Sequence, residues 1–212
     1  MQRKETTKLF RGKYQHKVVL VCAGASVFRG ADIDSVISKL DKVDLTANNN
    51  NRRYRVVYIR FPEELKYAYD LAFALKKVSD LVEIRVESPW ISIYTNDESI
   101  VDTLINLDKN NVKYVSSPAK GTNLSVGTVI MSKCEHDYRI TLGKTYHENS
   151  SFVVWAESQA DKVRLTKRCR RSLLDPKSSG GTYFYLTGDN VLLMAKVHLG
   201  STIAKVERIT KK

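Results

Sequence analysis

Between residues 53 and 116 the apolar positions change period in a set order, and few folds accept that order. Tyr54–Phe61 alternates as a strand, with Tyr54, Val56, Tyr58 and Arg60 on one face and Arg55, Val57, Ile59 and Phe61 on the other. Pro62-Glu63-Glu64 opens a helix, with proline where no N–H is needed and acids at the positive end. Leu65, Ala68, Tyr69, Ala72, Leu75 and Val78 recur at helical spacing as its buried stripe. Val82, Ile84 and Val86 alternate as a second strand, Ser88-Pro89 turns the chain, and Trp90–Tyr94 is a third strand. Asn96 is placed to cap a second helix, with Asp97 and Glu98 in its first turn and Ile100, Val101, Leu104 and Leu107 facing inward. Val112–Ser116 closes the series as a strand. The order is βαββαβ.

On either side the texture differs. Met1–Lys17 is polar and basic and reads as a partly flexible arm. Val18–Ala23 is a continuous apolar run, as in a buried strand, and Ile33, Val36, Ile37 and Leu40 follow at helical spacing. After Pro118 short strand-like runs dominate, at Thr128–Met131, Tyr138–Leu142, Phe152–Ala156, Thr182–Leu186 and Val191–His198, punctuated by glycines. The expected fold is α+β. A ferredoxin-like βαββαβ unit at 53–118 follows a basic arm with a strand–helix extension at 1–52. A β-rich basic subdomain at 119–212 comes after it, whether separate or sharing a sheet.

Charge narrows the partners. The chain carries 35 Lys and Arg against 23 Asp and Glu, and the excess sits at both ends. Residues 1–60 hold 13 cations against 5 anions, residues 119–212 hold 16 against 8, and residues 61–118 hold 6 against 10. Two basic regions flanking an acidic one point to a polyanionic partner, most simply nucleic acid. Cys22, Cys134 and Cys169 are odd in number and widely spaced, as in a reducing compartment. The apolar run Val18–Val21 is too short to span a bilayer and follows a basic leader, so a cytoplasmic protein without signal peptide or membrane span is expected.

In a βαββαβ sheet the helices cover one face. The aliphatic set Val57, Ile59, Val82, Ile84, Ile91 and Ile93 belongs beneath them. Tyr54, Tyr58, Arg60, Trp90 and Tyr94 are left on the other face, either open for stacking bases or covered as a second core. Over about 64 residues this stretch resembles an RNA-recognition-motif domain. Val57-Tyr58-Ile59-Arg60-Phe61 looks like that family's first-strand signature, which implies base stacking by Tyr58. The third-strand signature departs from the family: Glu87-Ser88-Pro89-Trp90-Ile91-Ser92-Ile93-Tyr94 lacks the basic residue and glycine before the aromatics.

Lys162, Arg164, Lys167, Arg168, Arg170, Arg171 and Lys177 form the densest basic cluster, on a strand edge and the turn or short helix after it. Phosphate contact is its natural use, against a solvated face paired to acidic neighbours. Arg52 and Arg53 add to the same charge. Gly24–Gly30 joins strand to helix but matches no phosphate-loop pattern, and Asp32 and Asp34 would repel a phosphate there. Cys134, Glu135, His136 and His147 fall short of a zinc-site spacing, and no cofactor is expected. Cys169 among four cations is expected to have a lowered thiol pKa, and Cys22 to be core.

Ser92-Ile93-Tyr94-Thr95-Asn96 and Gly180-Gly181-Thr182-Tyr183-Phe184-Tyr185-Leu186 resemble segments of uncharacterised proteins encoded by tailed bacteriophages. That resemblance implies a virus-encoded accessory protein in a host cytoplasm and carries no catalytic motif. The expected function is nucleic-acid binding through Arg52, Arg53, Arg60 and the 162–171 cations, with Tyr58, Trp90 and Tyr94 stacking bases. The alternatives are a module docking on a host or viral protein machine, and a metal-dependent nuclease whose carboxylates converge only in three dimensions.

Overall fold

The structure is a computed structural model describing residues 1–30, 32–43, 59, 61–143, 149–175 and 181–211. Contacts divide the chain into two compact units, Met1–Leu124 and Ser125–Lys212. Among the described residues ten strands form two five-stranded sheets, one in each unit, so the chain is mixed α+β.

In the first unit the strands are β1 (Gln2–Thr6), β2 (His16–Val21), β3 (Val82–Glu87), β4 (Trp90–Thr95) and β5 (Val112–Pro118), and the sheet order is β1-β5-β2-β4-β3. β1 runs parallel to β5, and the other pairs are antiparallel. Alternation decides the faces. Val18, Leu20, Ile91, Ile93 and Val115 point into one core with helices α1 (Ile33–Leu40), α2 (Pro62–Lys76) and α3 (Glu98–Leu107). Each helix begins as its residues dictate. Asp32 accepts a hydrogen bond from the Ser35 N–H at 2.9 Å, Pro62 opens α2, and Asp97 accepts from the Ser99 N–H at 2.8 Å.

Several sequence expectations shift. β2 is a central strand between β5 and β4, whereas the sequence alone places it in an extension outside the sheet. The strand expected at Tyr54–Phe61 lies outside the described residues except for Ile59, which is buried in the core, and Phe61, which precedes α2 exposed. The buried stripe of α2 is Tyr67, Ala68, Leu71, Ala72 and Leu75, so Tyr69 faces its margin instead of its centre. Asp97, not Asn96, caps α3; the Asn96 side chain accepts from the Gln15 N–H instead, at 2.9 Å.

The second unit contains β6 (Thr128–Ile130), β7 (Tyr138–Leu142), β8 (Val163–Leu165), β9 (Tyr183–Leu186) and β10 (Ile203–Thr210), in the order β6-β10-β7-β9-β8. Only the β6–β10 pair is parallel. Ile140, Leu142, Phe184, Leu186 and Val163 pack beneath α4 (Ser150–Ser158), α5 (Lys167–Leu174) and α6 (Asp189–Leu199). Two runs expected as strands are helices: Phe152–Ala156 lies in α4 and Val191–His198 in α6. In α4 the buried residues are Phe152, Val153 and Ala156, and in α6 Ala195 and Leu199, spacings that suit a helix despite the β-branched valines. Asn149 sets the start of α4 by accepting from the Phe152 N–H at 3.0 Å.

The two faces of β4 give a paired test of this register. Ile91 is fully buried and Trp90 is 41 % exposed. Ile91→Ala should cost about 2–5 kcal/mol of stability in urea titration, and Trp90→Ala distinctly less. Equal losses would contradict the alternation.

Candidate nucleic-acid interface

The face of the first sheet opposite its helices is largely closed by its own chain. β1 and β2 are joined by a turn in which Phe10 and Tyr14 bridge, with Arg11 at φ 51° and Gly12 at φ 77°. The turn brings Phe10 and Tyr14 within 6.1 and 6.2 Å of the Tyr94 ring, leaving Tyr94 5 % exposed. Arg11 and Lys17 lie over the same ring, at 5.7 and 5.6 Å from its centre. Arg11 and Lys13 also hold Glu83, at 2.6 and 3.2 Å. Tyr94 is therefore a packed ring beneath a basic turn, which corrects its expected role in base stacking. The arm read as partly flexible pairs in the sheet as β1 and supplies this cover.

Trp90 stays accessible at the β3–β4 hairpin, with the Lys113 ammonium 3.2 Å from its ring centre. Arg52, Arg53, Tyr58 and Arg60 lie outside the described residues, as do Tyr54 and Lys177.

The basic cluster of the second unit is brought together. β8 turns Val163 inward and leaves Lys162 and Arg164 exposed. α5 buries Cys169, Ser172 and Leu173 and turns Lys167, Arg168, Arg170 and Arg171 to solvent. Arg170 pairs with Glu157 at 2.7 Å. Among the described residues Lys162, Arg164, Lys167, Arg168 and Arg171 have no ion-pair partner. Lys167 and Arg168 occupy the first turn of α5, where the unpaired N–H groups already make the helix positive. The structure reverses the expectation for Cys169: burial pushes its thiol up to about 11, so the nearby cations do not make it reactive. Burial likewise raises the core thiol Cys22 to about 11.

Beside Arg164 lies a group that the sequence reading passed over. Phe184 and Leu186 enter the core of the second unit, which puts Tyr183 and Tyr185 on the face opposite α4, α5 and α6. The register sets Arg164 of β8 and Arg139 of β7 on either side of Tyr185. The Tyr183 and Tyr185 rings meet edge to face at 5.6 Å, and His136 stacks on Tyr185 at 6.0 Å and 11°. Arg139 lies 5.6 Å from the Tyr183 ring. The strict alternation of Tyr183-Phe184-Tyr185-Leu186 was the available signal for this face.

Glu207 of β10 fixes the Arg139 side chain. Its carboxylate is 1 % exposed and accepts from Arg139 Nε at 2.8 Å, from the terminal guanidinium nitrogen, and from Lys205 Nζ at 2.7 Å. Burial alone would raise its pKa, but the hydrogen bonds from Lys205 and Arg139 outweigh it and hold the carboxyl below its ordinary value.

Other candidate chemistry recedes. Gly24–Gly30 contains a short 3-10 turn with Ala25, Val27 and Phe28 buried, and the amide at the start of α1 is taken by Asp32. His136 Nδ1 lies 3.0 Å from Thr187 Oγ1. Among the described residues no three His, Cys, Asp or Glu side chains are grouped to hold a metal, and His147 lies outside them. Comparison with protein-family models, curated proteins and solved structures finds no match.

The Glu207 network predicts an acid-sensitive second unit. A carboxyl with a lowered folded pKa contributes stability that is full above its ordinary value of 4.5 and is lost as pH falls through the folded value. Chemical denaturation across that range should show a declining acid limb. Glu207→Gln should flatten the limb and cost about 3–5 kcal/mol at neutral pH by leaving Arg139 without its counter-charge.

Proposed function

We propose that this protein is a nucleic-acid-binding accessory protein that holds its ligand mainly through phosphates, with the β8–α5 cations as the principal contact. One observation carries the reading: five exposed cations have no ion-pair partner among the described residues, and two of them crowd the positive end of a helix. Each cation there opposes the helix dipole by about 0.3–1 kcal/mol, a cost that a bound phosphate removes. Trp90 and Lys113 provide a further accessible aromatic–cation pair in the first unit. The strand order β5-β2-β4-β3 supports a ferredoxin-like βαββαβ arrangement whose first strand is His16–Val21. Two buried free thiols, Cys22 and Cys169, fit a reducing cytoplasm, and the resemblance to bacteriophage proteins fits an accessory role in a host cell.

A second reading, docking on a host or viral protein, is favoured by α6, whose Leu193, Met194 and Val197 are exposed. Salt separates the two. Phosphate binding should weaken steeply with ionic strength, with each contact adding about −0.7 to −0.9 to the log–log slope. Replacing both Arg168 and Arg171 by alanine should reduce that slope by about one to two. Arg170→Ala should change it less, because Glu157 already holds that side chain. Anisotropy titration of labelled oligonucleotides at several salt concentrations measures all three proteins. An unchanged slope in the double variant would remove the assignment.

A further inference from the structure

We propose that the face of the second sheet carrying Tyr183 and Tyr185 is a base-stacking platform, and that the ligand class is therefore single-stranded nucleic acid. The proposal rests on the phosphate reading of β8 and α5 and adds what that cluster alone lacks, a way to tell a single strand from a duplex.

The geometry is that of a platform with a charged margin. Tyr183 is 41 % exposed although it lies within a sheet strand. Tyr185, one pleat further on, is half-buried beneath the His136 ring. The core side of β9 is filled by Phe184 and Leu186, both fully buried, so the tyrosines add nothing to that core. Arg139 beside them is neutralised and immobilised by Glu207, giving a rigid wall and not a mobile cation. Arg164, on the other side of Tyr185, is exposed and has no ion-pair partner among the described residues.

Thr166 links the platform strand to the start of the phosphate cluster. The Thr166 hydroxyl donates to the Tyr183 carbonyl at 2.8 Å and accepts from the Cys169 N–H at 3.2 Å. One side chain thus ties the strand that bears the platform to the first turn of α5. A backbone following Arg164 to Lys167 and Arg168 keeps its phosphates on cations while its bases turn toward Tyr183 and Tyr185. In a duplex the base faces are already stacked inside the helix, so only an unpaired strand presents them to an aromatic surface.

The full-length protein is titrated with a fluorescein-labelled oligothymidylate of about 20 nucleotides and with the duplex of the same length. The wild type should prefer the single strand. Tyr183→Ala should lower single-strand affinity by about ten-fold, leave duplex affinity and the melting temperature unchanged, and be rescued by Tyr183→Phe. Photo-crosslinking with 5-iodouridine in the same oligonucleotide should place adducts on Tyr183 or Tyr185. Equal affinity for both ligands, or loss of both in Tyr183→Ala, would overturn the platform. If Tyr183→Ala binds like the wild type while the Arg168 and Arg171 double variant loses binding, the platform falls and the phosphate reading stands. If the wild type binds neither ligand at low salt, both fall.

Discussion

A five-stranded sheet with helices on one side buries only that side, and the chemistry of each unit follows from how its other side is treated. In the first unit the N-terminal turn folds Phe10 and Tyr14 onto Tyr94 and lays Arg11 over the ring, and Lys17 of β2 lies over it too. The cations serve as lids for aromatics, and Glu83 holds two of the turn's charges in place. The second unit treats the equivalent surface differently. Its Tyr183 remains exposed, its fixed arginine is paired with Glu207 on the neighbouring strand, and cations without an ion-pair partner among the described residues stand at the sheet edge and on α5. Both faces combine tyrosine with arginine or lysine; the first packs Tyr94 beneath its turn, and the second leaves Tyr183 exposed.

The buried Glu207 explains how that surface keeps its shape. A carboxylate in a sheet interior is costly unless it is paired and hydrogen-bonded, and three hydrogen bonds from Arg139 and Lys205 meet it. Well-packed apolar residues in place of the whole ion pair would serve stability equally well. What the ion pair adds is a guanidinium held in one plane, 5.6 Å from the Tyr183 ring and next to Tyr185 in the register. Rigidity of this kind reduces the entropy lost when a flexible strand is bound.

Much of the fold was legible because local signals agreed. Pro62 with Glu63 and Glu64, the run Ile33, Val36, Ile37 and Leu40, and the alternation of Trp90–Tyr94 each specify an element within a residue or two. The strand partners were not legible. Val18–Val21 is continuous in its apolarity, and nothing local says that it sits between β5 and β4. α4 and α6 were misread because adjacent apolar residues, as in Phe152-Val153-Val154 and Val191-Leu192-Leu193, satisfy a strand and a buried helix alike. At the site, the cations of 162–171 could be found by density alone. Tyr94 could not, since alternation assigns a face but does not reveal that a distant turn covers it. Tyr183 and Tyr185 have the clearest alternation in the C-terminal part, but alternation assigns them a face without saying whether that face lies open.

The same chain supplies its own control for the significance of α5. α1, α2, α3 and α6 each carry an acid in the first turn, namely Asp34, Glu63 with Glu64, Glu98 and Asp189, where a negative charge meets the positive helix end. α5 alone among the described helices reverses that placement, with Lys167 and Arg168 in its first turn and no acid there. Solubility does not require the reversal, because the two cations would serve as well in the last turn, where the dipole favours them. Folding does not require it either, since Thr166 already caps the helix and Cys169 and Leu173 already anchor it. In the proposed function a bound phosphate offsets the cost of that reversal. On that proposal the phosphate meets the amide end of α5, beside the strand edge where Arg164 pairs in register with Tyr185.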